Sequence, residues 1–294
     1  MDRLVIGITG CSGFLGSAIK EEFNNFSFIE TRCLKNSKFG LFNLDELAEF
    51  VSDANIIIHL AGINRTEKVN EFELYNTLGT LSLLNAVNKY GKKGLHFIYA
   101  SSLHVYGASI KPKKFTESSY LQPVDFFGLS KKHSEEIIKF YSSNYGLNCT
   151  VLRLSNVYGP KCRPFYNSVI STFMYLALQN KILTLYGSGN QKRDYIFIED
   201  IIKIFNLLSI ENPQDGYKVY NVCSGIGISL NDLIKYIEEI IGKKVNFIHA
   251  EDSNKSLGSL IGDPTKIRLE LNFHQIYSLS EGLRKTAIWF KEVL

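Results

Sequence analysis

LVIGITGCSGFLGSAI, Leu4 to Ile19, is the stretch whose reading decides the fold. LVIGIT is a six-residue apolar run of the length and composition of a buried strand, and FLGSAIKEEF returns its apolar residues at helical spacing. Between them lie Gly10, Gly13 and Gly16, three residues apart. Glycines at a strand-to-helix junction permit a tight turn, and they let a pyrophosphate approach the free N–H groups of the helix N-terminus. The loop therefore predicts a dinucleotide site at Gly10, Ser12, Gly13, Phe14, Leu15 and Gly16.

The same alternation continues outward from this unit. FSFIETR, NIIIHLAG, LHFIYASS and TVLRLSNVYG read as continuous apolar strands, with helical patterns between them, among them a long one over about 67–90. Strands buried on both faces and separated by helices specify a parallel sheet. After Pro160 the elements become shorter and less regular, with helices expected at 166–179, from 199, from 229 and at the C-terminus. The expectation is an α/β protein: a Rossmann-type doubly wound parallel sheet with a smaller mixed α/β C-terminal substrate lobe. Residues 1–160 form the first domain, to which 199–228 returns, and 161–198 with 229–294 form the lobe.

Composition bounds the function. A chain of 294 residues, 45% hydrophobic and 21% charged, buries a full core. Its net charge of +4 comes from 33 basic and 29 acidic residues scattered along the sequence, so neither a nucleic acid nor a membrane surface is expected as partner. Five cysteines, none in a CxxC pair, argue against a disulfide framework or a zinc site, and reduced thiols are expected. The histidines lack ligand spacing, so no metal is assigned. MDRLVIGITG enters a strand directly and no apolar run is long enough to span a bilayer, which gives a cytoplasmic expectation.

DFFGLSKKHSEE, Asp125 to Glu136, poses the chemical question. Phe127 and Lys131 are four apart and so share a helix face. A tyrosine at 127 beside that ammonium would be a usable proton-transfer group. Phenylalanine cannot transfer a proton.

Several motifs stand in one order: TGCSGFLG at 9–16, HLAG at 59–62, NTLGT at 76–80, ASSLHVYG at 100–107, FGLSK at 127–131, RLSNVYGP at 153–160 and GSGNQKRDYIFIED at 187–200. Together they resemble the extended short-chain dehydrogenase/reductases, the NAD(P)-dependent nucleotide-sugar epimerases, dehydratases and reductases, over nearly the whole chain. The resemblance puts Phe127 in the place of the family's catalytic tyrosine, with Lys131 on the nicotinamide ribose and Ser102 on the substrate's C4 oxygen. Ser101 competes with Ser102 for that role. It further implies cofactor contacts from Arg32, Asn43, Leu44, Leu60, Ala61, Gly62, Asn76 and Ala100. Nucleotide-sugar contacts are implied for His104, Asn156, Lys161, Arg163, Arg193 and Asp263, with Asn156 and Arg193 on the diphosphate. His59 reads as packing. A homodimer through helices near 81–90 and 130–142 is also implied.

The strand end FIETR bears on the cofactor. Glu30 would bind an adenosine 2′-hydroxyl and select NAD, whereas Arg32 would pair with a 2′-phosphate and select NADP. Arg32 tips the expectation to NADP, with NAD as the alternative. The expected activity is an NADPH-dependent 4-ketoreduction of a nucleotide-linked (deoxy)hexose in surface-polysaccharide sugar biosynthesis, in a tyrosine-to-phenylalanine variant of low activity. The alternatives are an NAD-dependent nucleotide-sugar 4-epimerase and a catalytically inactive cofactor-binding sensor. Dehydration is disfavoured, because Leu103-His104 stand where that reaction's carboxylates would be.

Overall fold

The computed structural model describes residues 3–34, 42–111, 113–166, 168–211, 213–251 and 258–294. The strand Leu4–Thr9 runs through the glycine turn into the helix Phe14–Phe23. It is flanked on the sheet by Ile29–Cys33 on one side and Ile56–His59 on the other, both parallel to it. His96–Ser102, Asn148–Leu154 and Tyr217–Val222 extend the sheet to six strands, in the spatial order 217–222, 148–154, 96–102, 56–59, 4–9, 29–33. The strand order reverses at the first strand. In open parallel sheets, the carboxyl ends of the strands beside such a reversal are where ligands bind.

Strand composition explains the burial. Ile6, Ile8, Ile57, Ile58, Phe97 and Ile98 are all fully buried, as strands covered by helices on both faces require. Leu47, Phe50 and Val51 of the helix Leu44–Val51 join Leu83, Leu84 and Val87 of the helix Gly79–Tyr90 in one core cluster with Ile57 and Phe97. The long helical pattern expected over 67–90 is a helix with a defect. Asn70–Phe72 runs into a wider π turn at Glu73–Leu78 before Gly79–Tyr90 resumes the α geometry. The helix Phe126–Tyr145 starts on the Asp125 side chain, whose Oδ1 accepts from Gly128 N at 2.6 Å, and stops at Gly146 in the left-handed region.

Two compact units are resolved. The first holds 1–105, 121–153 and 202–220, and the second holds 106–120, 154–201 and 221–294. This partition and the domain boundaries expected from sequence are not the same: 106–120, 154–160, 199–201 and 221–228 cluster with the second unit. Within that unit, Asn156–Tyr158, Lys192–Phe197 and Gly227–Ser229 form a three-stranded sheet. Its helices are Val169–Leu178, Leu230–Ile241, Thr265–Leu271 and Leu279–Val293. The strand pairs of Leu183–Tyr186 with Phe247–Ala250 and of Lys114–Phe115 with Ile261–Gly262 complete it. The short strands at 114–115, 227–229, 247–250 and 261–262 escape a periodicity reading, because two to four residues do not establish a period.

The cysteine expectation is corrected. Cys11 and Cys33 form a disulfide, with Cα atoms 5.9 Å apart. The parallel register sets Cys33 opposite Ile8, and Gly10, at φ 78°, turns the chain so that Cys11 lies over the neighbouring strand's end. Spacing along the chain gave no hint of a pair made by strand pairing. Cys149, Cys162 and Cys223 are free and buried. Among the described residues, no helix is long and apolar enough to cross a membrane.

Candidate active site

The glycine loop is tight enough to demand glycine. Gly13 N donates to Gly10 O at 2.9 Å, and a Cβ on Gly16 would lie 2.1 Å from the same oxygen. Nothing larger fits there. Ser12 and Gly13 are exposed, while Phe14 and Leu15 open the helix half-buried, so the turn at the helix N-terminus is open to solvent, where an anion can reach it. Across the sheet, Thr9 Oγ1 accepts from Leu60 N at 3.2 Å and from Ala61 N at 3.1 Å, which fixes the Leu60-Ala61-Gly62 turn beside the loop.

His59 is a packing residue. It is fully buried, with Nδ1 2.7 Å from Thr9 Oγ1 and Nε2 3.0 Å from Thr80 Oγ1. Burial first, and then the Lys131 charge, push its pKa down to about 3, so it is neutral at physiological pH. Asn76 serves the frame as well. Its Nδ2 donates to Ile63 O and Ser130 Oγ while Oδ1 accepts from Ile63 N, tying the Gly62 turn to the helix Phe126–Tyr145.

Lys131 sits where this helix crosses the strand His96–Ser102. It is 6% exposed, donates to Ala100 O at 2.8 Å and lies 4.7 Å from the centroid of the Tyr99 ring. Burial lowers its pKa to about 8, with the nearby Glu135 carboxylate acting in the opposite direction. The two serines that compete in the sequence differ in their partners. Ser101 is buried and donates to Glu135, which Arg153 also grips through Nε and Nη2. Ser102 is half-buried and its Oγ accepts only a long bond, 3.3 Å, from His104 N. Of the two hydroxyls, that of Ser102 is the one left for a ligand.

Phe127 is half-buried in the first turn of the helix, with its ring centroid 5.9 Å from Lys131 Nζ. Its other ring neighbours are Phe72, at 6.4 Å, and His104, edge-on at 5.5 Å. His104 Nδ1 is 2.8 Å from Asp125 Oδ2. Sequence reasoning passed over Asp125, although an aspartate just ahead of FFGLSKK is an N-cap signal. One carboxylate thus both caps the helix that carries Phe127 and Lys131 and holds the His104 ring.

At the far end of the loop, Arg32 is already occupied. Its Nε pairs with Glu30 at 2.8 Å and its Nη1 with Asp53, and Arg3 adds a longer contact to Glu30 at 3.5 Å. Asn43 caps the helix Leu44–Val51 through Asp45 N and Glu46 N, and Leu44 is exposed.

The remaining expected residues belong to the second unit. Asn156 Nδ2 donates to Asp194 O at 2.9 Å, which ties its strand to the neighbouring one that carries Arg193. Arg193 Nη1 donates to Gly258 O at 2.6 Å. Lys161, at φ 65°, and Arg163 lie exposed on one loop. Asp263 accepts from Thr265 N and Oγ1, and these bonds hold its carboxyl below the usual range.

Residues 6–223, including the glycine loop and the Phe127–Lys131 helix, match the model of the NAD dependent epimerase/dehydratase family. The chain belongs to this family. A UDP-glucuronate 4-epimerase of Thermodesulfobacterium geofontis is 31% identical over 219 residues, 74% of this chain and 65% of that protein. The crystal structure of UDP-glucose 4-epimerase from Thermotoga maritima with UDP-glucose superposes with a TM-score of 0.90 at 26% identity, covering 99% of both chains. The Thermus thermophilus UDP-glucose 4-epimerase complex with NAD shares the fold at a TM-score of 0.85 and 23% identity, over 99% of this chain and 100% of that one.

Proposed function

We propose that this member of the epimerase/dehydratase family is an NAD-dependent epimerase that inverts C4 of a nucleotide-linked hexose. The observation that carries this reading is the state of Arg32. A 2′-phosphate would have to displace Asp53 or Glu30 from the guanidinium, against two carboxylates whose combined charge repels it. The strand end therefore favours a 2′-hydroxyl, and the reason for expecting NADP(H) and a ketoreductase falls away. The full-length likeness to 4-epimerases supports the same choice. The inactive-sensor alternative loses ground because Ser102, His104 and Lys131 keep a polar, partly open cluster around Phe127.

The cradle fits a dinucleotide: Gly10, Ser12, Gly13, Phe14, Leu15 and Gly16 would hold its pyrophosphate, Glu30 its adenosine ribose, and Leu60, Ala61, Gly62, Ala100 and Lys131 its nicotinamide half. Bound there, NAD supplies a reversible hydride acceptor. Lys131, fixed by Ala100 O, orients the ribose, and its charge lowers the cost of negative charge on a neighbouring oxygen. Ser102 donates to the C4 oxygen. By the family resemblance, Asn156, Lys161, Arg163, Arg193 and Asp263 of the second unit are the candidates for nucleotide-sugar contacts. The reaction is redox-neutral, so it needs no NADPH supply. We also read the exposed Tyr90, Phe140 and Tyr145, on the helices Gly79–Tyr90 and Phe126–Tyr145, as the seam of a homodimer, to be checked by sedimentation.

The test is direct. The purified chain is incubated with NAD and with UDP-glucose or UDP-glucuronic acid, and the sugars are resolved by NMR. Interconversion of C4 epimers supports the reading. Reduction of a 4-keto nucleotide sugar by NADPH without epimerisation would replace it with the ketoreductase.

A further inference from the structure

We propose that His104, oriented by Asp125, is the group that moves the substrate hydroxyl's proton in this chain, in the role that a phenol at position 127 would otherwise fill. The inference rests on the epimerase reading and adds to it the identity of the acid–base group. Phe127 has no exchangeable proton, yet the site around it is otherwise equipped. The requirement is a titratable group beside that ring, aimed by a partner and left with one nitrogen to use.

His104 meets it from three directions. Its ring is edge-on to the Phe127 ring at 5.5 Å, so a substrate atom lying against Phe127 lies within reach of the imidazole. Its Nδ1 is 2.8 Å from Asp125 Oδ2, and a carboxylate there keeps the proton on Nδ1 and leaves Nε2 as the acceptor. Nε2 has no partner among the described residues. Its backbone N–H is bonded to Ser102 Oγ, which couples the position of the imidazole to that of the hydroxyl facing the ligand. Asp125 is itself fixed, because its other oxygen caps the helix at Gly128 N. The packing is close as well, since a Cβ on Gly128 would lie 2.5 Å from His104 O.

The step balances. The O–H bond of the C4 hydroxyl breaks and its proton goes to Nε2. The electron pair of that bond forms the C=O π bond as the C4 hydrogen departs as hydride to the family's NAD. On return to the other face, hydride re-forms C–H and Nε2 gives the same proton back to oxygen. Asp125 stays ionised and stabilises the imidazolium between the two halves. The adjoining helix, capped by Asp125, carries Lys131, Lys132, His133, Glu135 and Glu136 in its first three turns, and His133 pairs with Glu73 at 3.0 Å.

The experiment compares the chain as it stands with H104Q, D125N, F127Y and H104Q/F127Y, loaded with NAD and given UDP-glucose or UDP-glucuronic acid. The expected result is that H104Q lowers kcat by about 10²- to 10⁴-fold with KM changed less than about threefold, and removes one limb of the pH profile. F127Y in the H104Q background should restore turnover with a limb of phenolic origin. In parallel, the His104 imidazole is followed by ¹⁵N NMR at varied pH, without and with UDP-glucose. The Nδ1–H tautomer, lost in D125N, together with a ligand-induced change confined to Nε2, is expected whether or not turnover is fast. Undiminished turnover in H104Q overturns the inference. So does a parent that is inert while F127Y epimerises, which leaves the epimerase reading standing. If neither chain epimerises any sugar tested, the epimerase reading fails and takes the inference with it. An imidazole signal indifferent to UDP-glucose, while other signals shift, overturns the inference alone.

Discussion

Lys131 Nζ reaches the carbonyl oxygen of Ala100 at 2.8 Å, across the junction of the helix Phe126–Tyr145 with the strand His96–Ser102. A cation at 6% exposure, held by a neutral acceptor and an aromatic face, stands in an environment that opposes its charge. Under the proposed function a lysine fixed in this way would hold a ribose or a developing oxyanion. Stability and function should therefore diverge at this residue.

Lys131→Met tests the divergence. Folding lowers the lysine from its ordinary 10.5 to about 8, so between these pH values the unfolded chain binds a proton that the folded chain lacks. Stability from this residue alone then rises with pH across that window, and the group opposes folding most below pH 8, by as much as about 3 kcal/mol. Loss of the Ala100 and Tyr99 contacts offsets part of the gain. The methionine variant should melt no lower than the parent at pH 7, lose its relative advantage by pH 10.5, and bind NAD poorly. A melting point several degrees lower at pH 7 would contradict the assignment.

Acid should unfold the chain through two histidines. Burial holds His59 down at about 3 and His96 at about 4, against an ordinary 6.5. As pH falls below 6.5 the unfolded chain takes up protons that the native state refuses, so stability drops between pH 6.5 and 4. Denaturant titrations at pH 7 and pH 5 should differ by about 1–3 kcal/mol, and His59→Gln should flatten the dependence. A stability independent of pH in this range would count against buried neutral histidines.

Dinucleotide choice follows from Arg32. NAD should bind at least about tenfold more tightly than NADP, a difference of about 1.4 kcal/mol. Asp53→Ala frees the guanidinium and should narrow that gap, whereas Glu30→Ala should weaken NAD by about 1.5 to 3 kcal/mol if its carboxylate holds the ribose. Calorimetric titration reads all of these. Tighter NADP binding by the unmodified chain would restore the ketoreductase.

Gly16→Ala should cost about 1–3 kcal/mol and abolish dinucleotide binding, because the new methyl meets the Gly10 carbonyl at 2.1 Å with no flexible side chain to yield. Gly94→Ala is the control. Its φ of 82° is strained for alanine, but nothing lies within 4 Å, so only about 1–2 kcal/mol is expected, with NAD binding intact. Equal effects of the two on NAD affinity would remove the glycine loop from the cofactor site.

The sheet and the glycine loop were legible because both are local: apolar runs of strand length, and three glycines between a strand and a helix. Lys131 was singled out by the motif order of the family, whereas its burial against Ala100 O was not visible in the sequence. What surrounds them was not legible. Arg32 reads as a phosphate ligand until Asp53, twenty-one residues on, is folded against it. The choice between Ser101 and Ser102 depends on Glu135 and Arg153, which arrive from a helix and a strand far along the chain. Asp125 was within reach, since its N-cap position could be read, but its second oxygen's hold on His104 required the short helical turn Leu103–Tyr106 after Ser102 to be seen in space.

The Cys11–Cys33 bond closes a ring from the glycine turn through the first helix to the end of the strand Ile29–Cys33. The covalent circuit contains the whole helix Phe14–Phe23 and every cradle residue but Gly10. Chain-entropy estimates put the restriction of the unfolded chain by a loop of this length at about 3 kcal/mol, so a dithiol reductant should lower the melting temperature. The cradle's partner wall at Cys33 is likewise held before any dinucleotide arrives. In the oxidised protein the glycine turn loses little freedom on binding, and in the reduced protein that loss must be met by the ligand. Calorimetry should accordingly give a more unfavourable binding entropy for NAD after reduction, at nearly the same contacts.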